Sequence, residues 1–334
     1  MYSLGIGLTN DCNLRCSHCY RDQDRIYNLT LDDIKKVCSS LPIGSVGLGT
    51  GENGLNPDYL AILEYLGSLG MKITLASNGY TLAMTPDELM KAFRDVEFSI
   101  DFPDSRRQDQ FRGEGNWQSI MKGIERCARL GIQVSILAVL MNVNYDELGR
   151  LARFAASLRA NFRVNVYQPV FTDQFMLSFD QYWQAYEILF QHSEILSVTE
   201  PLVNTFAGLN HLHGTPCGVQ SLRVTPDRRL KACVYWPDPH FTIEDLAEKK
   251  EGIFQTPFFR KTHQVPAFCS SCEYLSNCGG GCASRRALRG RLNEPDEYCP
   301  VFRRKKIHLR GHLSAAARPL RSGSICTTIV RGVT

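Results

Sequence analysis

Three cysteines near the start of the chain, Cys12, Cys16 and Cys19, stand in a C-x3-C-x2-C run. Three thiolates can hold three irons of a 4Fe-4S cluster, whose usual set is four cysteines, so the fourth iron would be open to a ligand. An open coordination position is where a metal site does chemistry. Two other readings of the run are a zinc ion completed by His18 and three buried free thiols. Zinc would require both ends of Cys16-Ser17-His18-Cys19 to face one metal. Farther on, Cys217-x15-Cys233 precedes Cys269-x2-Cys272-x5-Cys278-x3-Cys282-x16-Cys299, seven more thiols whose structural alternative is a pair of zinc knuckles. Cys38 and Cys127 fall on apolar-rich faces of expected helices and read as core thiols, and Cys326 has no assignment.

Such thiols need elements to position them. At 334 residues and 43% hydrophobic, the chain can bury a full core. Short apolar runs at Leu4–Leu8, Val46–Leu48, Ile73–Ala76, Val96–Ile100, Val134–Val139 and Arg163–Tyr167 alternate with amphipathic stretches near 31–40, 58–69, 86–94, 117–130 and 145–158. This is the pattern of repeated βα units, and six of them make a partial, open (β/α)6 barrel of the TIM type. Thr30 and Thr85 are expected helix caps, while Gly70 and Gly131 are expected to end helices. After a helix at Phe179–Gln191 the sequence turns Cys-, Gly- and Pro-rich. The expected organisation is therefore a barrel over 1–203, a small Cys-rich domain over 204–302 and a tail over 303–334. That tail holds eight basic residues and no acid, leaving 30 bases against 34 acids in the body, and is expected to be a disordered extension.

Four expected strands each end in a polar or metal-binding motif, at the rim where barrel active sites form. They are the cysteine run, Thr50-Gly51-Glu52, Ser77-Asn78-Gly79 and Ser99-Ile100-Asp101, with Arg112-Gly113 following. Taken singly, each short motif also reads as a βα turn or a cap. As a set, they resemble the radical S-adenosylmethionine (SAM) superfamily: its cysteine signature, its Gly-Gly-Glu motif with Thr50 in place of the first glycine, its Thr-Asn-Gly and its Ser-Ile-Asp. The resemblance implies SAM chelated to the open iron, its amino group received by backbone groups of the 50–52 loop and by Glu52. The other implied cofactor contacts are Ser77, Asn78, Ser99, Asp101 and Arg112. One-electron reduction would then yield methionine and a 5′-deoxyadenosyl radical that abstracts hydrogen from substrate.

The second cysteine set resembles the SPASM extension, which carries auxiliary iron–sulfur clusters. By that resemblance Cys269, Cys272, Cys278 and Cys299 form one four-thiolate site. Cys217, Cys233 and Cys282 supply three ligands to another, completed by an open iron or by His211, His213 or Asp238. Two auxiliary clusters are thus expected. The expected activity is modification of a peptide; the alternatives are oxidation of a small precursor in cofactor biosynthesis and a non-catalytic iron–sulfur electron carrier. Val234 after Cys233, where sulfatase-maturing relatives have an acid, argues against that specialisation. Tyr235, Asp238 and His240 are candidate proton-transfer groups with no role assigned. An electron donor such as flavodoxin or ferredoxin is implied. With an expected strand at residue 4, a leader-binding domain is not expected, so a peptide would arrive on a delivery partner or bind the barrel mouth directly. No signal peptide or membrane span is legible, which points to the cytoplasm; there, thiols serve as metal ligands sooner than as disulfides. Nucleic acid is not an expected partner.

Overall fold

The computed structural model describes residues 1–209, 217–237, 239–319 and 326–333. Its centre is a run of six parallel strands in chain order: β1 (Tyr2–Ile6), β2 (Ile43–Leu48), β3 (Lys72–Ser77), β4 (Phe93–Ser99), β5 (Gln133–Leu140) and β6 (Asn161–Val166). The strands are apolar and buried, as parallel strands covered by helices must be. Helices at Leu31–Ser40, Tyr59–Ser68, Asn116–Leu130 and Leu148–Ser157 connect them. Expected boundaries hold where a cap is explicit. Thr30 Oγ1 accepts from Asp33 N while Asp33 returns a bond to Thr30 N, and Gly131 closes its helix at φ +71°. Cys127 is buried, and Cys38 is half-buried against the same core.

The expected helix over 86–94 is shorter. It spans Asp87–Met90 and Phe93 already opens β4; at its other end Thr85 spends its hydroxyl on Thr81 O (2.7 Å) instead of capping.

Beyond β6 the sheet continues on both sides. β7 (Ser193–Val198) follows the expected helix Phe179–Gln191, whose Ser178–Gln181 capping box sets its start. β8 (Ser221–Val224) lies parallel beside β1, followed outward by β9 (Arg229–Lys231) and β10 (Phe241–Thr242). β11 (His312–Leu313) pairs with β7, and β12 (Thr328–Gly332) inserts antiparallel between β6 and β7. The expectation of a disordered tail is thereby corrected for His312–Leu313 and Thr328–Gly332, while 320–325 and 334 lie outside the described residues. Thr327-Thr328-Ile329-Val330 is a β-branched run whose Val330 is fully buried, and it buries by filling a slot in the sheet. Among the described residues no helix is long and apolar enough to cross a membrane.

Asp95 on β4 is half-buried beside Glu97, and one of its oxygens receives Ser135 Oγ at 2.9 Å while the other has no partner. Burial, then the Glu97 charge, pushes its carboxyl from 3.8 to about 7. Below pH 3.8 the folded and unfolded chains both hold this proton, and between there and about pH 7 only the folded chain does. Its contribution is therefore fully present at the acid end and lost as pH rises to about 7. Asp95→Asn, which keeps an acceptor for Ser135, is expected to raise the melting temperature at pH 8 more than at pH 5. An equal change at both pH values would contradict this.

Candidate active site

The cysteine loop leaves β1 and is tied down by its own neighbours. Arg21, buried, donates to Asn10 O (3.0 Å) and Leu14 O (2.6 Å), and the Asn10 side chain bonds Asp22 O and Tyr27 N. Cys16 is buried with its thiol toward Arg112 O (3.5 Å), while Cys12 and Cys19 are half-buried. Leu14 N and Asn78 Nδ2 each stand 3.5 Å from Cys12 Sγ. Burial pushes the Cys12 thiol up to about 12.

These three thiols line a cavity of about 480 Å³ inside the barrel, together with Thr50, Gly51, Glu52, Ser77, Asn78, Ser99 and Arg112. The expected residues are thus brought together, with one exception of detail. Asp101 is fully buried behind the wall, where its Oδ2 takes Arg112 Nε (2.7 Å) and its Oδ1 takes Val139 N (2.9 Å). It positions Arg112 rather than facing the cavity.

Glu52, which the resemblance places at the SAM amino group, lines the cavity and also ties two loops together. Its carboxylate, 1% exposed, accepts Ser77 Oγ, Asn78 N (3.0 Å) and Thr81 N (2.8 Å). Those bonds fasten the 77–81 loop to the 50–52 loop. The first of these loops departs from glycine at Thr50, yet Thr50 keeps the left-handed backbone that glycine favours, at φ +79°. Its hydroxyl is held by Tyr20 Oη (2.8 Å) and by the Arg223 guanidinium. Gly51 has no substitute, because at φ +63° an added Cβ would lie 2.4 Å from Asp11 O.

His18 stacks on Phe111 at 4.8 Å, and burial lowers its imidazole to about 4 against the opposing pull of Asp101. A neutral ring in an aromatic pocket reads as packing. Sequence reasoning missed Arg21 and Arg223, whose cationic heads serve backbone carbonyls that no local pattern announces.

The later cysteines gather in two places. Cys269, Cys272, Cys278 and Cys299 surround one small void. Cys217, Cys233 and Cys282 line a second cavity of about 250 Å³, which Cys326 also lines and which Cys278 shares with the first void. His211, His213 and Asp238 lie outside the described residues. His240 is exposed and packs on Phe258, away from both cavities. Tyr235 and Gln168 line both the barrel cavity and the Cys217 cavity, so these two side chains stand where the spaces meet. Burial raises the Tyr235 phenol well above its ordinary value, which makes it a poor proton donor at neutral pH.

Among the described residues no three Cys, His, Asp or Glu side chains converge as ligands of a single metal ion would. A cluster spreads its thiolates over separate corners, and thiols with N–H donors directed at a sulfur are the donor set it takes. The Cys12, Cys16 and Cys19 site therefore fits a 4Fe-4S cluster.

Residues 6–155 match the model of the radical SAM superfamily. The mycofactocin maturase MftC of Mycobacterium tuberculosis is 24% identical over 326 residues, covering 87% of this chain and 81% of that protein. AlbA of Bacillus subtilis, an antilisterial bacteriocin subtilosin biosynthesis protein, is 24% identical over 82% of this chain and 65% of its own length. The fold is similar to Streptococcus suis SuiB. Bound to S-adenosylmethionine, SuiB has a TM-score of 0.65 at 16% identity over 89% of this chain and 77% of its own. Bound to the precursor peptide SuiA, its TM-score is 0.63, again at 16% identity, over 89% of this chain and 75% of its own.

Proposed function

We propose that this chain, whose residues 6–155 match the radical SAM superfamily with its 4Fe-4S cluster and SAM, modifies a peptide by abstracting hydrogen from an unactivated C–H bond. Held by Cys12, Cys16 and Cys19, a 4Fe-4S cluster would supply the one electron needed to cleave SAM to methionine and a 5′-deoxyadenosyl radical. The protein supplies placement and exclusion of water. Cys12, Cys16 and Cys19 would hold the cluster. The 50–52 loop, Ser77, Asn78, Ser99 and Arg112 would hold SAM, with Glu52 and Asp101 fixing the loops that present them. Cys269, Cys272, Cys278 and Cys299 would carry one auxiliary cluster, and Cys217, Cys233 and Cys282 would be ligands of another.

The observation that carries this reading is the junction at Gln168 and Tyr235, where a cavity lined by the first cysteine set adjoins one lined by the second. Gln168 and Tyr235 belong to the walls of both spaces, so a substrate radical made in the barrel cavity would have only a short protein layer across which to lose its electron toward the second set. MftC is named a maturase and SuiB takes a precursor peptide, which favours a peptide as that substrate. The electron donor would be a small redox protein such as flavodoxin or ferredoxin, and a delivery partner could present the peptide.

The test is formation of 5′-deoxyadenosine by reduced, cluster-loaded protein, supplied separately with the peptide fraction and the dialysable small-molecule fraction of a bacterial extract grown on deuterated amino acids. Deuterium in 5′-deoxyadenosine with the peptide fraction is expected. Transfer only from the small-molecule fraction would replace the peptide reading with oxidation of a small precursor.

A further inference from the structure

We propose that Cys326 is the fourth thiolate of the site formed with Cys217, Cys233 and Cys282, so that the C-terminal strand of the barrel sheet closes an auxiliary 4Fe-4S centre. This deepens the auxiliary-cluster reading above and rests on it. Two observations carry it. Cys217, Cys233, Cys282 and Cys326 all line the 250 Å³ cavity, which Cys278 of the neighbouring four-cysteine set also reaches. The position of Cys326 is also set by the sheet. Thr327 N donates to Thr199 Oγ1 (2.9 Å), Thr199 N donates to Thr327 O (2.8 Å), and Arg163 Nε reaches Thr327 Oγ1 (3.0 Å). The residue after Cys326 is thus locked between β6 and β7 before β12 begins at Thr328.

The bland reading of a lone thiol is a core packer, as Cys127 is, buried among aliphatic side chains. Cys326 is half-buried and its neighbours are other thiols facing a cavity. Four thiolates complete the ligand set of a cube. The consequence is functional: with no open iron, this centre would pass electrons and would not ligate substrate, and His211, His213 and Asp238 would not be needed as ligands.

The experiment uses full-length protein in a Cys12, Cys16 and Cys19→Ala background, so that only auxiliary clusters are counted, at about eight iron per chain. In that background Cys326→Ala is expected to lose between about one and four iron per chain and, after mild oxidation, to show a three-iron paramagnetic signal absent from the parent. Cys282→Ala is expected to lose a comparable share. Full iron in Cys326→Ala with no three-iron signal after oxidation, alongside loss by Cys282→Ala, would overturn the ligand assignment alone. Full iron in both variants, or zinc in place of iron in the parent, would overturn the auxiliary reading of this site as well. A second measurement does not depend on a variant folding. In loaded protein Cys326 is expected to resist alkylation, and to react after chelation strips the iron. Equal reactivity in both states would contradict ligation.

Discussion

Arg285→Met is expected to lower the unfolding free energy by about 3–5 kcal/mol, the cost of leaving buried charges without their partner. Arg285 is 1% exposed and lies where the barrel meets the Cys-rich segment. Its guanidinium donates to Asp296 (2.7 and 3.0 Å) and to Glu200 (2.9 Å), and it lies over the Tyr298 ring. Asp296 in turn accepts Cys282 N (2.8 Å) and Tyr298 N (3.1 Å), so removing the cation strands two carboxylates and loosens the backbone of a proposed cluster ligand. Gly281 leaves no slack there, since a Cβ on it would meet the Asp296 side chain at 2.4 Å. Glu200→Gln is the informative companion. Burial already disfavours the charged form of Glu200, and an amide oxygen can still accept from Arg285 and Tyr182, so a loss below about 1 kcal/mol is expected. Denaturant midpoints of anaerobic, cluster-loaded protein read both. Equal losses in the two variants would mean that the charge balance argued for Arg285 is wrong.

Glu52→Gln is expected to leave the chain folded but to raise the KM for SAM by about 10–100-fold with kcat nearly unchanged, which corresponds to roughly 1–3 kcal/mol for one unsatisfied buried donor. Glu52 takes donors on both oxygens: Ser77 Oγ and Thr81 N on one, Asn78 N on the other. An amide replaces one acceptor with a donor, so one of these N–H or O–H groups must face an N–H. The 77–81 loop then shifts, and Asn78 moves with it away from Cys12 and Asn13 (3.5 and 2.9 Å). A fall in kcat at unchanged KM would instead indicate that the carboxylate acts on the reacting atoms, and the positioning role would be wrong.

Much of the barrel was legible because its signals are local. β1 to β6 appear as apolar runs within a few residues of their places, and the helix Phe179–Gln191 is bounded by a capping box written in Ser178 and Gln181. The rim motifs were legible as a set because βα connections put consecutive strand ends on one side of a parallel sheet. What escaped was non-local. β12 is five residues within a basic, Gly- and Ser-containing stretch, and only the open slot between β6 and β7 makes a strand of it. Cys326 carries no sequence signal for the same reason, since the residues around it are distant in sequence and are brought to it by that insertion. The loop-anchoring role of the Glu52 carboxylate was not legible either: its residue type suits a ligand contact and a loop anchor equally, and its three donors come together only in the fold.

The most direct test of catalysis at the Cys12, Cys16 and Cys19 site is 5′-deoxyadenosine formation from SAM by anaerobically reconstituted and reduced protein, set beside the Cys12, Cys16 and Cys19→Ala variant. Formation by wild type and none by the variant, with the auxiliary iron still in place, is the predicted result. A fully cluster-loaded wild type that forms none would contradict the catalytic assignment and leave an electron carrier as the better description.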